Sequence, residues 1–388
     1  MQVDSIILDL SIIIVGSAAL GTLFLVAKQP IMIAYIAVGF ALGPNGTSLI
    51  QGADRIEGAA NLGVMLLLFL AGLNLQPQRL LRLFRKTALL TFGTAATFGG
   101  ISFLYAILLG FGTHGAVIFG AAMMFSSTVI GLKLVPTTAL HQRRTGEVMT
   151  GVLLLQDVLA IMVILLVAGE KSDHVWLTFM MLAAKLVALC LLSFLGVRFL
   201  VLPLLRRFDT VQEYTFIVTL GWCLLWARVA GILGLSEEMG AFVAGLSIAS
   251  CPVAIVIAEH LKPLREFFLI LFFFTVGARL DFRLDPHLIV SAMLFGAALV
   301  PLKAFAYRFA FRRAGESPQL SGELAVRLAQ SSEFSLLVAL AALASGSLSH
   351  ENAMVIQIAT IATFVISTYW TVMRYPTPIS TSAALRQD

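Results

Sequence analysis

Apolar residues in this chain come in unbroken runs of about twenty, without the alternation of a half-buried strand or the one-sided stripe of a soluble helix. A run of about 20 apolar residues crosses the hydrocarbon core of a bilayer as a helix. A helix also satisfies its own backbone hydrogen bonds there, which lipid cannot do. On this length rule thirteen spans are predicted, at roughly 6–26, 30–48, 58–75, 87–110, 115–135, 146–168, 175–200, 212–233, 239–258, 264–280, 287–309, 322–345 and 352–374. The predicted fold class is an all-α membrane protein with short linkers.

Composition agrees with the pattern. Hydrophobic residues make up 59% of the chain and charged residues 12%, against about 25% charged in a soluble domain. The net charge of +5 does not indicate nucleic-acid binding, because the basic residues sit in short loops between apolar runs. One set of alternate loops carries Lys28; Arg79, Arg82, Arg85 and Lys86; Lys133, Arg143 and Arg144; Arg206 and Arg207; Lys262 and Arg265; and Arg308, Arg312 and Arg313. The tail adds Arg374 and Arg386. The other set has only Arg55, Lys171, Arg279 and Arg283, and carries acids such as Asp54, Glu57, Asp173, Glu237, Asp281 and Glu351. The positive-inside rule makes the first set cytoplasmic, with the N-terminus outside and the C-terminus inside. No basic residue precedes the first apolar run, so that run reads as a retained helix and not a signal peptide. Cys190, Cys223 and Cys251 lie in separate runs with no paired spacing, and indicate neither a disulfide framework nor a metal site.

The chain also resembles itself. Gly72 and Gly277 are 205 residues apart, and so are Ser126-Ser127-Thr128 and Ser331-Ser332-Glu333. Spans 1–6 then correspond to spans 8–13, giving repeat one at about 6–168, a linker helix at about 175–200, repeat two at about 212–374 and a cytoplasmic tail at 375–388. Seven spans separate equivalent positions, so the second copy enters from the opposite side. Inverted repeats of this kind are common in secondary transporters, with the substrate site at the midplane where the copies supply discontinuous helices.

Candidate chemistry follows from the cost of polar groups in lipid, roughly 2.5–3.5 kcal/mol for Asp, Lys or Arg at mid-helix. Asp157 lies near the middle of a span, within Leu-Leu-Leu-Gln-Asp-Val-Leu-Ala-Ile. A carboxylate removed from water is costly in its charged form, and a nearby cation offsets that cost. It can hold a proton or a monovalent cation, but not both favourably, which is the minimal physics of an exchanger. The competing reading is a helix-packing hydrogen bond. Gln156 can orient this carboxylate or offer its carbonyl to a cation, or can serve as an interhelical hydrogen bond. One titrating carboxylate suggests one cation per proton.

Ser126, Ser127 and Thr128 would supply carbonyl and hydroxyl oxygens to a cation if their helix breaks there, and a small-residue packing face otherwise. Lys303 can neutralise helix dipoles or pair with an acid, or can snorkel to the cytoplasmic face. Glu333 can balance a dipole end, or pair with Arg327 or Lys303. Arg228 and Lys185 read as structural or snorkelling, and Glu237 and Glu238 as a solvated helix N-terminus. The six histidines lie in loops or at span ends. No nucleophile elbow or phosphate-binding loop stands out, so an enzyme is not expected.

Several segments together resemble a known family: 35–44 (Tyr-Ile-Ala-Val-Gly-Phe-Ala-Leu-Gly-Pro), 69–75, 126–133, 155–161, 240–245, 272–282 and 331–337. The chain resembles the glutathione-gated potassium efflux (Kef-type) branch of the monovalent cation:proton antiporter-2 family, and the Gln156-Asp157 pair is the most specific feature. The resemblance implies a sodium/proton-antiporter-like fold with two crossing discontinuous helices, at Ser126–Thr128 and around Glu333. It implies that Asp157 carries the exchanged proton or cation, that Gln156 tunes ion choice, and that Lys303 faces the crossover. It further implies a homodimer in the bacterial inner membrane, with an elevator-like motion of a core domain against a dimer domain. Kef-type proteins continue into a cytosolic nucleotide-binding regulatory domain. None is present in these residues, so gating by glutathione or nucleotide is not carried over. The expected activity is electroneutral potassium/proton exchange with no cofactor. A sodium/proton antiporter of the same fold is second, and a gated cation channel is the alternative of another class.

Overall fold

The computed structural model describes residues 2–50, 53–74, 77–135, 144–168, 175–208, 212–249, 251, 254–280 and 285–377. Among them every extended element of secondary structure is a helix. The loop charges Arg143, Lys171, Asp173, Asp281, Arg283 and Arg386 lie outside the described residues, as does the tail beyond Thr377. The side chains of Asp54, Arg55, Glu57, Arg79, Arg82, Arg85, Lys86 and Lys133 do so too.

The helices are α1 (Gln2–Val26), α2 (Ile31–Leu42), α3 (Ala53–Asn74), α4 (Pro77–Leu108), α5 (Thr113–Met123), α6 (Thr128–Lys133) and α7 (Arg144–Ala168). Next come α8 (Val175–Gly196), which runs through a π-helical turn (Val197–Val201) into α9 (Leu202–Arg207), and α10 (Gln212–Ile232). They are followed by α11 (Glu237–Ile248), α12 (Ala254–Ala278), α13 (Pro286–Arg313), α14 (Pro318–Arg327), α15 (Glu333–Ala344) and α16 (His350–Arg374). Each predicted span overlaps one or more of these helices. Seven helices among the described residues are long and apolar enough to cross a membrane. The remaining segments are shorter, interrupted or more charged.

The boundaries differ from expectation in three places. The second span stops at Leu42, where Gly43 and Pro44 end the helix, and does not reach residue 48. The fourth begins at Pro77, ten residues early, because its basic N-terminal stretch is helical too. The ninth ends at Ile248, and the tenth starts at Ala254 with Pro263 inside the helix. Charges and a proline at 259–266 resemble a loop in sequence, yet the chain turns earlier, around Cys251.

The helices divide into two compact units. Unit 1 (Met1–Gln51, Leu83–Val167, Val276–Asp388) holds α1, α2, most of α4, α5 to α7 and α13 to α16. Many of its outward residues are apolar, including Val15, Leu89, Leu108, Phe305 and Met373, all more than half exposed. Its interior instead contains Ser126, Ser127, Gln156, Lys303, Gln357 and Thr360, each at 0% exposure. Apolar outside and polar inside reverses the rule for water-soluble proteins and matches lipid as solvent. The apolar part of the interior packs Phe98, Met149, Val152, Leu153, Tyr307, Phe311 and Leu324 together.

Unit 2 (Gly52–Arg82, Ala168–Thr275) holds α3, α8 to α11 and most of α12. Here α3 and α11 run backbone against backbone. A methyl added at Gly245 would collide with the carbonyl of Phe69, and one added at Gly72 with the carbonyl of Phe242. Small residues allow this approach, the usual basis of helix association in membranes. Within unit 1, Gly277 makes the same approach to the carbonyl of Ile36, so the two glycines that share the 205-residue offset serve the same packing purpose. Ser236 caps α11 by accepting from the Met239 N–H at 3.3 Å, and Glu237 and Glu238 open its first turn. Glu237 also pairs with Arg228.

Candidate functional site

The site lies within unit 1 at two helix interruptions. The first separates α5 from α6 at residues 124–127, and the second separates α14 from α15 at residues 328–332. Serine side chains compete with the backbone for hydrogen bonds, which favours breaks and caps over continuous helix. Each break ends in such a cap. Ser127 Oγ accepts from the Ile130 N–H at 3.0 Å, and Ser332 Oγ accepts from the Phe334 N–H at 3.1 Å. Ser335 Oγ returns the favour by accepting from the Ser332 N–H at 3.3 Å. Ser127 and Ser332 are 205 residues apart, the spacing of the sequence repeat.

The breaks are tied directly to each other. Ser126 Oγ donates to Leu328 O at 2.7 Å, Gln330 Nε2 to Ser127 O at 3.3 Å, and Ser335 Oγ to Ala122 O at 2.6 Å. Ser367 of α16 fixes Gln330 by donating to its Oε1 at 3.1 Å. Thr363 of α16 accepts the Ser331 N–H at 2.9 Å.

Asp157 faces the first break from α7 and is 2% exposed. Thr128, the first residue of α6, donates its hydroxyl to Asp157 Oδ1 at 2.8 Å. The neighbouring Gln156 is fully buried, and both ends of its amide are engaged: Oε1 accepts the Ser126 N–H at 3.0 Å, and Nε2 donates to Tyr307 Oη at 2.8 Å. The five residues singled out in sequence (Ser126, Ser127, Thr128, Gln156 and Asp157) thus converge on one break.

Lys303 is at 0% exposure, so it does not snorkel. Its ammonium donates to the carbonyls of Phe125 at 2.6 Å, Met123 at 3.3 Å and Gln330 at 3.3 Å, and lies 5.1 Å from the Phe98 ring centroid. These carbonyls belong to the end of α5 (Met123), the first break (Phe125) and the second break (Gln330), where interrupted helices leave acceptors unpaired and the dipole is negative. An ammonium has three donors, and all three go to carbonyls and none to an acid. Glu333 opens α15, 3% exposed, at the positive end of that helix. The alternative in which Arg327 pairs with Glu333 is not realised. Arg327 pairs with Glu323 at 2.9 Å and donates to the carbonyls of Leu134 at 2.7 Å and Pro376 at 2.8 Å.

Two residues of the cluster went unnoticed in sequence. Tyr307 sits one helical turn after Lys303, stacked on Phe311 and edge-on to Phe98. Gln330 lies in the second break. The available signal was that a buried tyrosine hydroxyl or amide must find a partner.

Chemically, the arrangement is a buried carboxylate beside a hydroxyl and freed backbone carbonyls, with a buried lysine and glutamate at the helix ends. Discontinuous helices joined at such a cluster define the class: a multi-helix membrane transporter. The chain belongs to the sodium/hydrogen exchanger, transmembrane, family, whose description matches residues 11–374. It is 28% identical to the iron transporter MagA of Paramagnetospirillum magneticum over 369 residues, covering 93% of this chain and 83% of that protein. It is 30% identical to K(+) efflux antiporter 5 of Arabidopsis thaliana over 370 residues, covering 87% and 61%. It is 32% identical to the glutathione-regulated potassium-efflux system protein KefC of Escherichia coli O7:K1 over 352 residues, covering 86% and 55%. The chain thus spans little more than half the length of the two efflux relatives. The sodium proton antiporter MjNhaP1 from Methanocaldococcus jannaschii shares the fold with a TM-score of 0.70, at 16% identity over 95% of this chain and 96% of that one.

Proposed function

We propose that this chain is the membrane-embedded part of an electroneutral potassium/proton antiporter that works by alternating access. Asp157 is protonated in one half of the cycle and cation-bound in the other. Thr128 and the oxygens of the first break complete the cation's shell, and Gln156 holds the break against the carrier helix. The observation that carries this reading is the buried Asp157 carboxylate meeting Thr128 at an interrupted helix. Lys303 and Glu333 supply fixed charge at the helix ends and do not travel with the ion. Potassium as the cation is supported by the names of the two efflux relatives. The proposal extends to a homodimer in a bacterial inner membrane, N-terminus outside and C-terminus cytoplasmic, with an elevator-like motion.

Sodium is the second reading, favoured by the family's description as sodium/hydrogen exchangers and by an all-oxygen environment that suits either ion. The test is proton flux in proteoliposomes under imposed potassium, sodium or iron(II) gradients. Potassium-driven flux without net current supports the proposal, and sodium-driven flux moves it to the second reading. Iron(II) transport with no alkali-cation response would replace both with the activity named for the MagA relative.

A further inference from the structure

Resting on the antiporter reading above, we infer that Tyr307 is a positioning residue for ion recognition: its hydroxyl locks the Gln156 amide in one orientation and ties it to both helix breaks. Hydrogen-atom accounting fixes the direction of the chain. The Ser126 N–H can only donate, so the amide end facing it at 3.0 Å is Gln156 Oε1. Gln156 Nε2 must then face Tyr307 Oη at 2.8 Å, where it can only donate. Ser126 has one hydroxyl proton, and that proton goes to Leu328 O at 2.7 Å. At the 2.9 Å contact between the two hydroxyls, Ser126 is therefore the acceptor and Tyr307 the donor.

The result is a one-way series from Gln156 to Tyr307, to Ser126 and then to the Leu328 carbonyl. It starts beside Asp157 on α7, passes through α13 and the first break, and ends in the second break. Every side chain in it is at 0% exposure. The ring is held by Phe98 at 5.0 Å and Phe311 at 5.8 Å between centroids. A cation at Asp157 that moved the first break, or turned the amide, would have to break this series. Tyr307 thus sets how firmly the oxygens of the first break are presented, without touching the ion.

The test is Tyr307→Phe, which keeps the ring and removes only the hydroxyl. Cation-dependent proton flux in proteoliposomes is compared with the native chain, Gln156→Ala and the double variant, together with melting temperature. A rise in KM for the cation of about three- to tenfold is expected, the range one neutral hydrogen bond carries. The maximal rate should stay near native, the potassium-to-sodium ratio should fall, and the double variant should be no worse than Gln156→Ala alone. Additive effects of the two substitutions would overturn the inference. So would an unchanged KM, or a loss of rate that tracks a loss of melting temperature. Native flux with an unaffected Tyr307→Phe would sink this inference alone. A native chain with no cation-dependent flux would overturn the antiporter reading as well.

Discussion

The two helix breaks are made by the same device and furnished differently. Both end in a capping serine, Ser127 in the first and Ser332 in the second. The residue that opens the new helix is a neutral Thr128 in one and a charged Glu333 in the other. The first break meets Asp157 through a hydroxyl, whereas the second brings a fixed carboxylate to a helix N-terminus. Lys303 spans the two by donating to carbonyls at the end of α5, in the first break and in the second break. Under the proposed function, the first break presents neutral oxygens to the ion and the second carries charge balance. Repetition sets the geometry, and single side chains set the chemistry.

Lys303→Met gives the largest expected effect on that comparison, because it leaves carbonyls of both breaks buried without a donor. We expect a loss of about 2–3 kcal/mol, the value of a charge-assisted hydrogen bond with its desolvation, read as a clear drop in thermal unfolding temperature in detergent. A melting curve like the native one would show that the lysine does not hold the breaks. Next are the two residues that open the second half-helices. Thr128→Val removes the hydroxyl from the Asp157 carboxylate and should raise the cation KM about ten- to hundredfold. Glu333→Gln removes charge but no direct ligand, so exchange should persist with less than about a tenfold change. If Glu333→Gln were the more damaging of the two, the proposed division of labour would be reversed. The smallest effect is at the caps, where Ser127→Ala and Ser332→Ala should each cost about 1 kcal/mol. Near-equal losses in chemical denaturation would fit a shared backbone device, and a loss at one cap alone would not.

The fold was legible in the sequence because lipid imposes a severe pattern: unbroken apolar runs leave few alternatives to spanning helices. The matching Ser-Ser motifs and glycines at one offset pointed to the places where the chain breaks and packs closely. Asp157 stood out because a mid-span carboxylate is costly, and Ser126 to Thr128 because three hydroxyls in succession favour a break. Lys303 was ambiguous. Its closeness to a basic loop in sequence allowed snorkelling, and only three-dimensional packing shows its ammonium turned toward the helix ends. Tyr307 was illegible for a similar reason, since a tyrosine near a span end looks like a membrane-interface residue. Gln330 looked like an ordinary amide in a broken span. The early start of α12 was hidden by Glu259, His260, Lys262 and Pro263, which read as a loop in one dimension yet lie within one helix.

In the proposed cycle one carboxylate, that of Asp157, holds a proton and a cation in turn. The most direct measurement is proton release when potassium is added to the purified chain in weakly buffered detergent solution. About one proton per chain should be released at saturation, because an approaching cation favours the ionised carboxylate, and none from Asp157→Asn. Equal release from both proteins, or none from the native protein while potassium-driven exchange persists, would contradict it.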